Sequence, residues 1–162
     1  MERTQDQAVA AHEIDLRALE AFRASLPSVY RWETYRFLTW RWDIVVARYL
    51  LHTYPRSAGT LGVASAARAY DLDHPILPAT VQGNGTTVLY ESIMGVDPVF
   101  AMGGQIDLEQ PVILALVQLP SRAAPTPMLI DGLHRLYRAA QDHREKLPCL
   151  VLAPDEERLC RL

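Results

Sequence analysis

The sequence predicts an α+β protein in which helices come first and a mixed sheet follows. In the first half, apolar residues recur at helical spacing, whereas the second half holds short runs of β-prone residues separated by turns. A segregation of helices and strands along the chain is typical of this fold class. We therefore expect a helical N-terminal segment over residues 1–75 and a mixed-sheet domain over residues 76–162.

Three helices are predicted in the first half. One runs from His12 to Leu26 and ends before Pro27, and a second runs from Tyr30 to His52. A shorter, alanine-rich helix is expected near Leu61 to Tyr70. The second helix is predicted from aromatic and aliphatic residues at steps of three and four, namely Tyr35, Leu38, Trp42, Val45 and Tyr49.

Strands and one strand–turn–helix unit are predicted in the second half. Asn84-Gly85 lies between β-prone residues and indicates a tight hairpin turn. Strands are expected at Val88–Met94, Pro111–Val117 and Pro148–Leu152. Pro127–Ala140 changes from an apolar run to helical spacing at its middle, which predicts a strand, a turn and a helix. The proline-rich stretch between residues 120 and 127 is expected to join two strands.

The turn at Asp131-Gly132 is the most informative place for chemistry. We expect Asp131 to be the N-cap of the following helix and Gly132 to allow the sharp turn. Free amides and the helix dipole at such a start favour an anion such as phosphate. His134, Arg135 and Arg138 follow on adjoining parts of one helix face.

The composition and the net charge of the chain exclude several classes of protein. The chain has 162 residues, 49% of them apolar, and a net charge of −3, so most of it should fold, and general binding of nucleic acid is disfavoured. The polar N-terminus and the short apolar stretch Ile44–Leu51 predict neither a signal peptide nor a membrane span. Cys149 and Cys160 have no zinc spacing. We expect a cytoplasmic protein.

Two other groups of residues have weaker claims. The aromatic and basic side chains of the predicted helix over residues 30–52 suit a core or a contact between subunits better than stacking on bases. The helix is therefore expected to be buried against the sheet or to form the contact of a homo-oligomer. Asp71, Asp73 and His74 could ligate a metal, but a polar loop before Pro75 is the better interpretation, and no metal site is predicted from them.

The strand–turn–helix unit also resembles a known family. Leu129–Ala140, followed by Leu147–Leu152, is similar to the core of the ParB/sulfiredoxin fold, in which a strand runs into a Gly-x-x-Arg turn and a later strand begins with Ile/Leu-Pro-x-x-Val. Upstream, Leu108–Leu114 is similar to a strand entrance of that family, and Asp97-Pro98 stands where members often have Asn-Pro. The resemblance covers roughly residues 88–162.

The resemblance implies nucleotide binding. In this family the equivalent turn and arginine hold the phosphates of ATP or CTP, so Gly132, His134 and Arg135 are implied phosphate contacts. The first-turn amide of Leu133 and the Arg138 side chain extend this candidate site. Sulfiredoxins need a cysteine where this chain has Leu133, which disfavours thiol repair. No helix-turn-helix follows the motif, which disfavours DNA reading of the ParB type.

Free-serine kinases of the same fold suggest catalytic roles. By that resemblance Asp131 would orient His134 or help to hold Mg²⁺, and Glu91 or Asp97 would act as the base on a substrate hydroxyl. The function expected is binding of a nucleotide or of another small phosphate ligand, with phosphotransfer or hydrolysis of ATP or CTP on a small molecule as the activity this site would support. The alternatives are a non-catalytic, nucleotide-switched regulator and a DNA-partition accessory protein. Without the family pattern, Asp131 and Arg135 would be only an i, i+4 ion pair at a helix start.

Overall fold

The computed structural model describes residues 12–80, 88–90 and 94–162. Within them the chain forms helices and strands in mixed order, which makes the fold α+β. The helices are α1 (Leu16–Ser25), α2 (Ile44–Thr53), α3 (Val63–Ala69), α4 (Pro98–Ala101), α5 (Leu133–Gln141) and α6 (Pro154–Cys160). The strands are β1 (Thr34–Phe37), β2 (Trp40–Asp43), β3 (Gly59–Gly62), β4 (Pro78–Thr80), β5 (Val88–Tyr90), β6 (Val112–Val117), β7 (Thr126–Asp131) and β8 (Lys146–Leu152).

A four-stranded mixed sheet is the centre of the fold. Its strand order is β3-β8-β6-β7. The central pair, β6 and β8, is parallel, and both outer strands are antiparallel to their neighbours. Two further antiparallel pairs, β1–β2 and β4–β5, lie outside this sheet.

Both faces of the sheet are covered by helices, as the side chains of the central strand β6 show. Its side chains alternate between two buried clusters, with Ile113, Ala115 and Val117 in one and Val112 in the other. The first cluster also contains residues of α1, α2 and α6, whereas the second contains residues of α3 and α5. A strand buried on both faces reads as a continuous apolar run, as the sequence from Val112 to Val117 does.

The predicted helix over Tyr30–His52 is wrong in its first half. A single 3-10 turn at Ser28–Tyr30 leads into the β1–β2 hairpin, and α2 begins only at Ile44, where the Asp43 carboxylate accepts hydrogen bonds from two first-turn amides. Tyr35 and Trp42, seven residues apart, were expected to share a helix face. They are instead cross-strand partners whose rings stack at 6.1 Å between centroids.

The aromatic side chains of this hairpin pack against the core of the same chain. Trp42 is fully buried and Tyr35 and Trp40 are partly buried against the same cluster. The first half of the helix that was expected to carry a contact between subunits is therefore a hairpin, and the Trp42 ring is buried within the chain.

The other predicted elements of the first half have mixed outcomes. The first helix is present as α1, although its N-cap is Asp15 and it begins at Leu16. The alanine-rich helix is present as α3, but the strand β3 before it was not predicted and joins the main sheet beside β8. Segment 1–75 is therefore not purely helical, and it contributes an edge strand to the sheet of segment 76–162.

The predicted strands of the second half are largely present. β6, β7 and β8 match the three runs that were expected around residues 111–117, 127–130 and 148–152. β4 and β5 form an antiparallel pair, while the turn at Asn84-Gly85 and the end of the predicted strand Val88–Met94 lie outside the described residues. Among the helices of the described residues, none is long and apolar enough to cross a bilayer.

Candidate functional site

A cavity of about 810 Å³ lies where β7 ends, β6 begins and α5 starts. Helix α2 and the segment after α4 both contribute residues to its lining. The polar residues that line the cavity are Glu33, Arg48, His52, Gln105, Asp107, Gln110, Asp131, His134 and Arg135. Aromatic and aliphatic residues complete its surface, among them Tyr30, Leu51, Phe100 and Ile106.

Two guanidinium groups meet at one carboxylate on the cavity wall. The Oδ2 atom of Asp131 accepts a hydrogen bond from Arg48 Nη2 at 3.0 Å and lies 3.3 Å from Arg135 Nη2. Arg48 continues the chain by donating from Nη1 to Glu33 Oε2 at 2.7 Å, and Arg135 donates to Gln110 Oε1 at 3.3 Å. The Asp131–Arg135 ion pair that the sequence allowed is thus present.

The charges of this wall depend on one another. Burial alone would lower the pKa of Arg48, but Asp131 and Glu33 outweigh it, so the pKa is raised and the guanidinium stays charged. Three carboxylates (Glu33, Asp107, Asp131) and two guanidiniums line the cavity. Its surface is therefore mixed in charge, and the cationic groups are held in place by acidic ones.

The prediction that Asp131 caps α5 is wrong. The N-cap is Gly132, whose φ of +103° is a left-handed conformation, and the Asp131 side chain binds the two arginines instead. A Cβ at position 132 would lie 2.5 Å from Val112 Cγ1, so glycine also permits the close approach of α5 to β6. Leu133 points into the buried core, and only its backbone belongs to the helix start.

His134 lines the cavity as a neutral ring. Its Nε2 atom accepts a hydrogen bond from the backbone amide of Asp97 at 3.1 Å, and its ring makes a T-shaped contact with Phe100 at 5.0 Å between centroids. Burial lowers the pKa of His134 below the ordinary 6.5, although Asp97 and Asp131 oppose the shift. Asp131 was expected to orient this ring, but the observed hydrogen bond to it comes from Asp97.

Three other predicted site residues do not reach the cavity or cannot be placed. Asp97 is the N-cap of α4 and its carboxylate accepts from the amides of Val99 and Phe100. Arg138 donates to Asp142 and to the carbonyl oxygens of Met102 and Gly103, so it ties α5 to the end of α4. Neither lines the cavity, and Glu91 lies outside the described residues.

Sequence reasoning missed Arg48, Glu33, Gln110 and His52 as residues of the site. Arg48 and His52 are four residues apart on α2, and that spacing is a usable signal for a shared face. Glu33 and Gln110 approach the turn only through the tertiary fold, because they lie 98 and 21 residues from Asp131 in the chain. No local pattern marks them.

A smaller cavity of about 150 Å³ adjoins the first. It shares Glu33, Asp131, Gly132 and His134 with the larger one. The residues that line only the small cavity are Thr34, Tyr35, Ile44, Met94, Gly95, Ile130 and Leu133. Burial, with a smaller contribution from Tyr70, raises the pKa of Tyr35 to about 12, so its hydroxyl remains protonated.

The acidic loop that follows α3 is separate from both cavities. Asp71, Asp73 and His74 bring one ligand atom each to within 4.8 Å of one another, and all three are exposed. His74 lies 3.5 Å from Asp73 and 3.8 Å from Asp71, which are distances of weak surface ion pairs.

Comparisons with protein-family models, with curated proteins and with solved structures found no match.

Proposed function

We propose that this protein binds the phosphate groups of a nucleotide, ATP or CTP, in the large cavity. One observation carries the proposal: Arg48 and Arg135 converge on a single oxygen of Asp131 beside the first turn of α5. Two guanidiniums that share one anionic oxygen form the arrangement that phosphate oxygens accept. A phosphate at this position would take over hydrogen bonds that Asp131 now receives.

The dimensions and lining of the cavity support a nucleotide rather than a bare ion. Its volume of about 810 Å³ falls in the range of ligand sites, roughly 300 to 1,000 Å³. The exposed fraction is 46% for Tyr30 and 43% for Phe100, and both rings line the cavity, where each offers a face or an edge to a base. A nucleotide would place its phosphates at the arginines and its ring among these apolar groups.

The acidic residues fit a metal-bound nucleotide. Carboxylate oxygens are the ligands that Mg²⁺ takes, and Asp131 and Asp107 both line the cavity. They would hold Mg²⁺ against the phosphates, and the ion would offset phosphate charge. Without the ion, the carboxylates near the arginines would repel a nucleotide, so binding is expected to depend on Mg²⁺.

We also propose that the protein has the ParB/sulfiredoxin fold and that it acts in the cytoplasm. The order of β7, a glycine turn, α5 and the strand β8 with Pro148 is what supports the resemblance as part of the proposal. A phosphotransferase, an NTPase and a non-catalytic regulator would all use the same nucleotide site. Release of phosphate from ATP or CTP by the wild-type protein would distinguish the enzymes from the regulator.

The test is calorimetric titration of ATP, CTP, GTP and ADP, with and without Mg²⁺, into the wild type and two variants. Arg135→Ala should weaken binding by about 10- to 100-fold, because a charge-assisted contact of about 1.5–3 kcal/mol is lost. Arg138→Ala is the matched control on the same helix, and its affinity should equal that of the wild type. If no nucleotide binds at millimolar concentration, or if both variants bind alike, the proposal fails.

A further inference from the structure

Two arginines lie directly opposite each other on the exposed face of the β1–β2 hairpin. Arg36 of β1 and Arg41 of β2 are cross-strand partners, and both are exposed. The Leu162 amide donates to the Arg41 carbonyl from outside the hairpin, so the backbone groups of this pair point away from the opposite strand. Side chains of such a pair lie closer together than those of the alternating pairs, and like charges there destabilise a sheet.

In the described part of the chain, no carboxylate pairs with either arginine. Asp43 is the acid of these two strands, and it caps α2 and pairs with Arg23 at 3.2 Å. Arg36 donates through Nε to the Leu38 carbonyl at 3.2 Å, which leaves its other guanidinium nitrogens without a partner among described residues. The Arg41 side chain makes no hydrogen bond or ion pair with any described residue. Both guanidiniums therefore keep donors for an anion.

The backbone of β1 has a free edge beside these arginines. On the other side of the hairpin, Arg161 forms a bridge with Trp42, and the Leu162 amide binds the Arg41 carbonyl. Among the described strands, β1 pairs with β2 alone. Because Arg36 belongs to the outward-pointing pair, its amide and carbonyl groups face this edge. A second extended chain can pair with them as a neighbouring strand.

Protection of the edge against aggregation explains only one of the two arginines. Charged side chains on edge strands block unwanted pairing, and Arg36 suits that role. Arg41 is on β2, whose outer edge is already occupied, so a charge there protects nothing and adds repulsion. Leu38, in the turn beside them, is 77% exposed and has a positive φ that leucine disfavours. A partner that binds this face would offset both costs.

We propose that an extended, acidic segment of a partner protein adds to the free edge of β1 as a third strand. Its backbone would pair with that of Arg36, and carboxylates at alternate positions would bind the guanidiniums of Arg36 and Arg41. Arginine and carboxylate pair through two parallel hydrogen bonds, which gives a preference for acids. Nucleic acid fits less well, because the aromatic rings of the hairpin pack on the core and leave none on this face to stack on bases.

This surface is independent of the nucleotide site. Arg36, Leu38 and Arg41 line neither cavity. Failure of peptide binding would therefore leave the proposed function standing, and failure of nucleotide binding would leave this surface standing.

The test measures the fluorescence anisotropy of labelled six-residue peptides with the full chain. The first peptide alternates glutamate with valine or threonine. The second has lysine for each glutamate, and the third has the composition of the first with its glutamates consecutive. The first should bind about tenfold more tightly than either of the others, because only its carboxylates all share one face. Equal affinity for the three, or no binding of the first at millimolar concentration, would overturn the proposal.

Two substitutions that remove the same charge locate the peptide. Arg41→Gln should weaken the first peptide about tenfold, because charge-assisted hydrogen bonds are lost. It should not lower the midpoint of thermal unfolding, since it relieves the repulsion with Arg36. Arg122→Gln, at an exposed arginine between β6 and β7, is the matched control and should bind like the wild type. If Arg41→Gln binds the peptide as tightly as the wild type does, the assignment is wrong.

Amide hydrogen exchange of the wild type, followed by NMR, tests the strand pairing without any substitution. Saturating peptide should slow exchange of the Arg36 amide, which faces the free edge, and leave that of Arg41 unchanged, because it faces the other edge. An Arg36 amide that exchanges at the same rate with and without peptide refutes the added strand. Self-association of the chain that Arg36→Glu abolishes, or tighter binding to anionic lipid vesicles than to the first peptide, would assign this face to a second copy or to a membrane and overturn the proposal.

Discussion

Gly132 occupies a position that other residues fill only with strain. Its φ of +103° is left-handed, and a Cβ there would lie 2.5 Å from Val112 Cγ1 and 2.9 Å from Val112 Cβ. Conformation and contact thus both oppose a side chain at the point where β7 turns into α5. The glycine matters for packing α5 against β6, and hence for placing His134 and Arg135 at the cavity.

Gly132→Ala is expected to lower the free energy of unfolding by about 2–4 kcal/mol, since backbone strain and overlap with Val112 add. Gly95→Ala is the matched control. Gly95 also has a positive φ, of +69°, but no atom of the described residues lies within 4 Å of its added Cβ, so only strain of about 1 kcal/mol is expected. Urea denaturation measures both. Equal losses would mean that the contact with Val112 has no role.

The protonation of His134 links the site to pH. Its Nε2 atom accepts the Asp97 amide hydrogen bond, and only the neutral ring has an acceptor nitrogen. Burial lowers the pKa of His134 in the folded state, so the unfolded chain binds a proton first as the pH falls. Stability from this residue is present above the unfolded value of about 6.5 and is lost as the pH falls from there toward the folded pKa.

His134→Gln should remove this pH dependence. The variant keeps an acceptor oxygen for the Asp97 amide but cannot be protonated in this range. Between pH 7.5 and pH 5, the free energy of unfolding of the wild type should therefore fall relative to that of the variant. Urea denaturation at a series of pH values gives the difference. A difference that stays constant with pH would show that His134 titrates alike in both states.

At the scale of elements, the β1–β2 hairpin illustrates where local patterns mislead. A spacing of seven residues places Tyr35 and Trp42 on one face of a helix, yet the same spacing makes them partners across a two-residue turn at Leu38-Thr39. The alternating aromatic side chains favour strands, and the Asp43 cap starts the helix only after them, so the segment forms a hairpin.

Elements with a strong local signature were predicted well. β6 is an uninterrupted apolar run, and the dipeptide Asp131-Gly132 marks the turn between β7 and α5. β3, by contrast, is only four residues long and contains two glycines, and it becomes a strand because it pairs with the edge of β8. The site was half predictable for the same reason: His134 and Arg135 follow the turn, whereas Glu33 and Arg48 reach it through packing.

A substitution at Leu38, in the turn of the β1–β2 hairpin, should stabilise the protein. Leu38 has φ of +54° and is 77% exposed, so its side chain gains little burial for a conformation that leucine disfavours. Leu38→Asn is expected to raise the free energy of unfolding by about 0.5–1 kcal/mol, because asparagine tolerates this region better. Thr39→Asn, at the other turn position without a positive φ, should give no gain. Thermal unfolding compares the two, and equal effects would contradict the explanation.

Across the whole molecule, contacts of the last residues, on and after α6, connect the second half of the chain to the β1–β2 hairpin of the first half. Glu157 on α6 is 1% exposed and accepts a hydrogen bond from Trp42 Nε1 at 2.6 Å. Arg161 donates to both oxygens of Glu157, and the Leu162 amide donates to the carbonyl of Arg41 at 2.8 Å. A buried carboxylate thus connects the β1–β2 hairpin to α6, across 115 residues of sequence.

Arg161→Ala is expected to lower the free energy of unfolding by about 1–3 kcal/mol, because the buried Glu157 carboxylate loses its cation. In a Glu157→Gln background the same change should cost far less, since the neutral amide oxygen can still accept from Trp42 and needs no cation. The double-mutant cycle, measured by urea denaturation, should give a coupling energy of about 1 kcal/mol or more. Arg158→Ala, an exposed arginine of the same helix, should stay within about 0.5 kcal/mol of the wild type. Additive effects of the two substitutions would mean that the ion pair between Arg161 and Glu157 contributes nothing to the stability of the contact between the hairpin and α6.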